Sequence, residues 1–255
     1  MTEIIKILSQ IDGGMVLDAA TGRGEFITTL KKYLKSYTQI IGVDASERSV
    51  DYAQKLFPEN DVEIFRMNLE DLQFDDNYFD VVCTSNSLHH LEHIEIVFSE
   101  LQRVLKPGGL LIVTEMYCDG EQTPAQETHI MMHHWLAKVD RMNGIYHQST
   151  FTKVEIEQLV KALPLKKLEI VDFYIPVDNP YKNCETLMDN CRETQKRLEN
   201  MPGSEDLLAE GKALLARLKD VGCASASRLL ITSYKNKEKK VASAAKIAKP
   251  QKGDK

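Results

Sequence analysis

A doubly wound α/β fold is predicted by three features of this sequence. Apolar runs alternate with helix-like segments through the first half of the chain. Those runs lack strict in–out alternation, as expected of strands covered on both faces. The first run ends in a glycine-bearing loop that opens a helix, the arrangement that places a ligand at the carboxyl edge of a parallel sheet.

Taken in order, Met15-Val16-Leu17 stops at Asp18 and the loop carrying Gly22 and Gly24, and a helix follows from Glu25 to about Lys35. Ile40-Ile41-Gly42-Val43 forms a second strand ending at Asp44. Ser46 is the expected N-cap of a helix reaching Phe57, with Pro58 just past its end. Val62 to Arg66 and Phe79 to Thr84 read as strands three and four. A helix from about Ile94 to Leu105 closes at Lys106-Pro107-Gly108-Gly109, a helix stop and turn, and Leu110 to Glu115 is strand five. Strands joined by helices are parallel, so helices cover both faces.

After Cys118 the rhythm changes. Thr123 to Met142 is a long helical stretch. Thr152 with Glu155 three residues on is a capping box opening a helix to about Leu163. Lys167 to Ile175 and Arg228 to Tyr234 read as strands. Between them lie helical segments from about Asn183 to Asn200 and from Ser204 to Lys219. From Lys235 onward the chain is Lys- and Ala-rich and is expected to be disordered.

The formal net charge of −6 argues against a dedicated nucleic-acid binder, which needs a basic footprint. No stretch approaches the roughly 18 apolar residues of a membrane span, and Met1 to Ile11 lacks a secretory h-region. The five cysteines (Cys83, Cys118, Cys184, Cys191 and Cys223) form no C-x-x-C pair, which predicts free thiols, no disulfide framework and a cytoplasmic location.

The segment from Val16 to Phe26 carries the most chemical information. A dinucleotide fingerprint, G-x-G-x-x-G/A, requires a small third residue, and Ile27 stands there. Asp18 would also be a poor neighbour for a pyrophosphate, but suits a ligand carrying a sulfonium and an ammonium. Asp44 ends the next strand about 20 residues beyond the loop, where a carboxylate can accept hydrogen bonds from both ribose hydroxyls.

On these residues the chain from about Met15 to Glu115 resembles the class I S-adenosylmethionine-dependent methyltransferases, in particular the small-molecule branch around the ubiquinone/menaquinone biosynthesis C-methyltransferases. The D-x-A-x-G-x-G loop is Asp18, Ala20, Gly22 and Gly24, with Ala20 where a glycine is commoner. The segment after strand three is Asn68 to Phe74, with Gln73 in place of the usual proline. Phe79-Asp80-Val81-Val82 is followed by Leu88-His89-His90, and the R-V-L-K-P-G-G stretch is complete from Arg103 to Gly109.

The resemblance implies a Rossmann-like seven-stranded sheet of order 3-2-1-4-5-7-6 with the seventh strand antiparallel. It implies one domain over residues 1–234, helical lid insertions at about 118–163 and 182–222, and a tail at 235–255. S-adenosylmethionine would be the cofactor and a small molecule the acceptor. The loop at Gly22, Arg23 and Gly24 would lie against the methionine and ribose portions, Asp44 beside Ala45 would hold the ribose, Asn68 and the backbone of Leu69 would face the adenine, and Ser85 would line the methionine end.

Methyl transfer from a sulfonium needs alignment and exclusion of water, and a base only when the acceptor must lose a proton. The candidates for a catalytic group are His89 and His90. Of the later histidines, His129 and His133 share a helix face at i, i+4, a spacing compatible with metal binding with His147 or Glu127 completing the set. Contact of His129, His133, His134 and His147 with the acceptor is the preferred reading, and no metal is assigned. The stripe Met131, Met132, Trp135, Leu136, Val139, Met142 reads as core packing, with a substrate wall or homodimer contact as alternatives. Two other functions stay open: a protein that binds S-adenosylmethionine without transferring methyl groups, and a metal- or metalloid-linked methyltransferase using the 129–147 histidines or the cysteines.

Overall fold

The computed structural model describes residues 3–182 and 184–237. The strands are β1 (Met15–Ala19), β2 (Gln39–Asp44), β3 (Val62–Arg66), β4 (Phe79–Ser85), β5 (Leu105–Met116), β6 (Leu165–Phe173) and β7 (Arg228–Lys235). They form one seven-stranded sheet of order β3-β2-β1-β4-β5-β7-β6. β1 to β5 pair in parallel, and β7 runs antiparallel to both β5 and β6. This is the topology that the family resemblance implies.

The helices are α1 (Glu3–Leu8), α2 (Glu25–Tyr33), α3 (Glu47–Leu56), α4 (Ile94–Val104), α5 (Pro124–Met142), α6 (Lys153–Lys161), α7 (Glu185–Leu198) and α8 (Glu205–Val221). Their ends are set by local chemistry. Ser46 accepts from the Ser49 N–H, and Thr123 with Gln126 and Thr152 with Glu155 form capping boxes.

Apolar side chains from β1, β2, β4 and β5 alternate between two cores, one on each face of the sheet. A third core lies between α5, α7 and α8, built on Met132, Trp135, Val139, Cys191, Leu198, Leu214 and Leu218. The stripe on α5 is therefore core packing, although Met131 stays exposed. Gly211 in α8 lets Trp135 approach: a Cβ there would sit 2.6 Å from the Trp135 ring, whose indole N–H donates to the Leu207 carbonyl.

Several boundaries differ from the sequence reading. α1 is an amphipathic turn and a half too short to be distinguished by periodicity. β5 begins at Leu105, before the Lys-Pro-Gly-Gly turn: Leu105 pairs with Phe79, pairing then skips to Leu110 opposite Val81, and Gly108 takes φ +82° in between. β6 starts two residues early and carries an irregularity at Lys167. β7 includes Lys235, whose ammonium donates to Asn77 Oδ1 and to the carbonyls of Gln102 and Leu105. The remainder of the expected tail, from 238 on, lies outside the described residues.

The cysteine expectation is corrected more substantially. Cys184 and Cys223 form a disulfide with Cα atoms 5.8 Å apart, while Cys83, Cys118 and Cys191 are free. The bonded pair is 39 residues apart in sequence, a spacing with no local signature. It ties the residue before α7 to the segment after α8.

Candidate cofactor and acceptor site

Parallel register brings the carboxyl ends of β1, β2, β4 and β5 to one edge: Ala19 lies beside Val43 and Thr84, and Ser85 beside Thr114. A cavity of about 1120 Å³ opens there, large enough for a nucleoside donor and a small acceptor together. Ala20, Gly22, Asp44, Ala45, Asn68, Leu69 and Ser85 line it.

The loop after β1 is held in left-handed conformations, with Ala20 at φ +58°, Gly22 at +55° and Gly24 at +88°. Two of these glycines serve different ends. A Cβ at Gly22 would meet nothing within 4 Å, so its bare backbone faces open space. A Cβ at Gly24 would sit 2.4 Å from the Phe57 ring, so this glycine allows the start of α2 to approach the end of α3. Ile27 fills the place a dinucleotide site keeps small. Its Cδ1 lies where Gly42 lacks a Cβ, so the close helix–sheet approach is supplied by β2.

Asp44 ties the rim together. Its Oδ2 accepts the Gly22 N–H at 2.8 Å and its Oδ1 accepts the Ser46 N–H at 2.9 Å. Each oxygen retains a lone pair toward the cavity. Asp18 is buried beneath the loop: Oδ2 accepts from the Thr21 hydroxyl at 2.6 Å, and Oδ1 has no partner. Burial raises its pKa to about 7 against that hydrogen bond, with the charges of Asp44 and Glu25 adding to the effect. Asn68 Oδ1 accepts the Glu70 N–H at 3.1 Å. Arg23 turns away from the cavity, its guanidinium 5.2 Å from the Tyr52 ring centre.

The other end of the cavity is lined by Asn86, Ser87, His90, Asp140, Ile145, Tyr146, Ile175 and Arg228. His90 sits in a single 3₁₀ turn, Leu88–His90, directly after β4. Beneath it Glu115, fully buried on β5, accepts the N–H groups of Ser87 at 3.0 Å and Leu88 at 2.8 Å through Oε2, and Oε1 lies 2.9 Å from Nδ1 of the buried His89. His147, in the segment after α5, has Nδ1 2.7 Å from Asp140 Oδ2.

The rings form a chain: His129 to His133 at 4.8 Å between centres, His133 to His89 at 5.6 Å, His89 to His147 at 5.4 Å, and His147 to His90 at 4.0 Å. Desolvation, then the neighbouring His89 and His147, lowers the pKa of His90 to about 3; burial takes His129 to about 4 and His133 well below the usual range. These imidazoles are neutral at physiological pH. A group with so low a pKa is a weak proton acceptor but still offers a lone pair.

Known proteins resemble this chain in part of its sequence and in its fold. Residues 17–113 match the methyltransferase domain family. The demethylmenaquinone methyltransferase of Staphylococcus carnosus (strain TM300) is 29% identical over 113 residues, 44% of this chain and 47% of that one. The 2-phytyl-1,4-naphtoquinone methyltransferase of Synechococcus elongatus is 30% identical over 128 residues, 49% of this chain and 55% of that one. The chain thus spans about half the length of the curated relatives it matches. Among solved structures, the Haemonchus contortus phosphoethanolamine N-methyltransferase 2 bound to S-adenosyl-L-methionine superposes with a TM-score of 0.55 at 18% identity, covering 92% of this chain and 51% of that one. The [4+2]-cyclase SpnF superposes at 0.59 and 18% identity, covering 92% and 80%. Over residues 17–113 the chain is similar to the methyltransferase domain family, and its fold is that of the class I methyltransferases.

S-adenosylmethionine is the cofactor of class I methyltransferases, and the residues fit it: the bare Gly22 backbone and the Asp44 carboxyl line one cavity, and the unpartnered Asp18 oxygen lies buried beneath the same loop. Of the expected cofactor residues, Asp18, Arg23 and Gly24 do not line it. Among the expected acceptor histidines, His133 and His147 join His89 and His90. His134 turns to the Thr150 hydroxyl at 2.8 Å, and His129 Nδ1 accepts the Ala226 N–H at 3.1 Å. Glu127 is occupied by Arg217 at the surface.

Glu115, Asp140 and Arg228 escaped sequence reading. An acidic residue closing a buried strand was the available signal for Glu115, since such a side chain is seldom fully buried without a partner. Arg228, whose Nε is buried without a partner, opens β7 and carried no comparable mark.

Proposed function

We propose that this protein transfers a methyl group from S-adenosylmethionine to a small, oxygen-bearing acceptor. The sulfonium supplies the activated methyl group. The protein's task is to hold the donor along the β1–β2 rim, hold the acceptor against the 3₁₀ turn, and keep water from between them. Asp44 would bind the ribose, Asn68 and Leu69 the adenine, and Asp18 would balance the donor's cationic methionine end. His90 would contact the acceptor through its lone pair, with His89 and Glu115 fixing the turn beneath it.

The observation that carries this reading is the continuity of the cavity. It joins the Gly22–Asp44 rim at one end to His90 and Arg228 at the other. The quinone ring systems named for the relatives do not transfer directly, because Asp140, Tyr146, Ile175 and Arg228 lie outside the matched residues 17–113. The polarity of that wall favours a compact acceptor able to meet a guanidinium and an imidazole.

Calorimetry with S-adenosylhomocysteine tests the donor half: binding is expected, and Asp44→Ala should abolish most of it. Uptake of a nicotinamide or flavin instead would sink the reading. Incubation with labelled donor and a metabolite extract should then yield S-adenosylhomocysteine and one labelled product. A chain that only holds the cofactor would bind it and release neither.

A further inference from the structure

We infer that His89, His90 and His147 form a site for a divalent transition-metal ion, Zn²⁺ by its affinity for imidazole, at the acceptor end of the cavity. Ring nitrogens of these three histidines lie within 4.8 Å of one another. The site is assembled from two separate segments, the turn after β4 and the loop after α5, which are tied by the Gln148 N–H donating to the His89 carbonyl at 2.8 Å.

Two features distinguish this group from ordinary packed histidines. First, His89 and His147 are buried, and each has Nδ1 beside a carboxyl oxygen, of Glu115 and Asp140 respectively. A carboxyl group on one ring nitrogen fixes the tautomer and leaves the other as a lone pair, the usual second partner of a metal-bound histidine. Secondly, Nε2 of His89 and Nε2 of His147 are both buried without a hydrogen-bond partner, as is Nδ1 of His133, whose ring is 5.6 Å from that of His89. Orphaned buried nitrogens are costly, and several in one spot call for a shared ligand.

Three imidazoles and an open fourth position match a Zn²⁺ site that keeps a place for substrate. Tetrahedral geometry at about 2.1 Å wants nitrogens about 3.4 Å apart, so the rings would draw together by roughly an ångström on loading. His90 lines the cavity. On the methyltransferase reading, which this inference presupposes only at this point, the open position would receive an oxygen atom of the acceptor, and the ion would take the place of the direct contact between the His90 lone pair and the acceptor.

The test uses the full chain without a polyhistidine tag, stripped with a chelator and titrated with Co²⁺. Expected are one equivalent bound, the intense visible bands of a tetrahedral nitrogen-rich site, and their loss on adding Zn²⁺. His90→Asn, at an accessible position, should weaken binding at least about tenfold, and Asp140→Asn by about 10–100-fold through the orientation of His147. Circular dichroism and S-adenosylhomocysteine titration of the same samples report folding and the donor site. Absence of stoichiometric Co²⁺ uptake by a protein that binds S-adenosylhomocysteine overturns the metal site and leaves the proposed function standing. Co²⁺ binding indifferent to both substitutions overturns it as well. Bands without S-adenosylhomocysteine uptake support the site and count against the methyltransferase reading instead.

Discussion

Two residues at the end of β1 and in the loop after it make separate predictions about stability. Ala20 sits at φ +58°, a region that costs a side chain roughly 1–2 kcal/mol and glycine almost nothing. Allowing for the extra entropy of unfolded glycine, Ala20→Gly should stabilise the protein by up to about 1 kcal/mol, raising Tm by about 2–4 °C; an unchanged or lower Tm in thermal unfolding counts against a strained loop. Asp18 links stability and donor binding to pH. Its folded pKa of about 7 lies above the ordinary 3.8, so between those values the native state holds more protons than the unfolded chain. The stability at low pH is therefore lost as pH rises through that window, by on the order of 4 kcal/mol in total. Asp18→Asn should flatten this slope and be the more stable form above pH 7, as measured by denaturation at several pH values. A cationic ligand prefers the ionised carboxyl, so S-adenosylmethionine, with its sulfonium, should bind the parent chain more tightly at pH 8 than at pH 6, and the substituted chain without that difference.

At the scale of elements, the strand–loop–helix order of residues 15–116 was legible because each unit carries a local signal. The apolar runs stop at Asp18 and Asp44, Ser46 caps α3, and a complete turn motif precedes the main length of β5. The histidine constellation was not legible in the same way. It joins a 3₁₀ turn, α5 and the following loop, and depends on Glu115, which meets His89 only once β5 lies beside β4, and on Asp140 near the end of α5. Pairing His129 with His133 from i, i+4 spacing found one face of α5 but not the carboxyl groups that orient the buried rings. Glu115 is the element that makes the turn rigid, since one carboxyl group satisfies two N–H groups and one imidazole. Glu115→Gln replaces one acceptor oxygen with an NH₂ and sets donors against donors. It should cost about 1–3 kcal/mol and slow turnover, while S-adenosylhomocysteine affinity, set on the opposite rim, stays close to the parent value. Equal loss of both would make Glu115 a general fold residue rather than the anchor of the acceptor turn.

Across the whole molecule, the two cores on the sheet and the third core between α5, α7 and α8 are separate bodies of apolar contact. The sheet cores are closed by strand pairing along their length. The helical cap has no such ladder, and Cys184–Cys223 joins its ends across 39 residues. Closing a loop of that size is worth up to about 4 kcal/mol in the chain-entropy account, and the gain falls where the cap would open, not on the sheet. Reduction, or Cys223→Ser, should therefore raise amide exchange in α7 and α8 while leaving β1, β2 and β4 protected, because local opening follows the least-supported unit. Because α5 carries Asp140 and leads into His147, the same treatment should loosen the acceptor wall and leave the donor rim intact. Exchange that rises evenly across sheet and cap would mean that the three cores open as one, and the disulfide would then be a global clasp instead of the fastening of a cap over a self-supporting sheet.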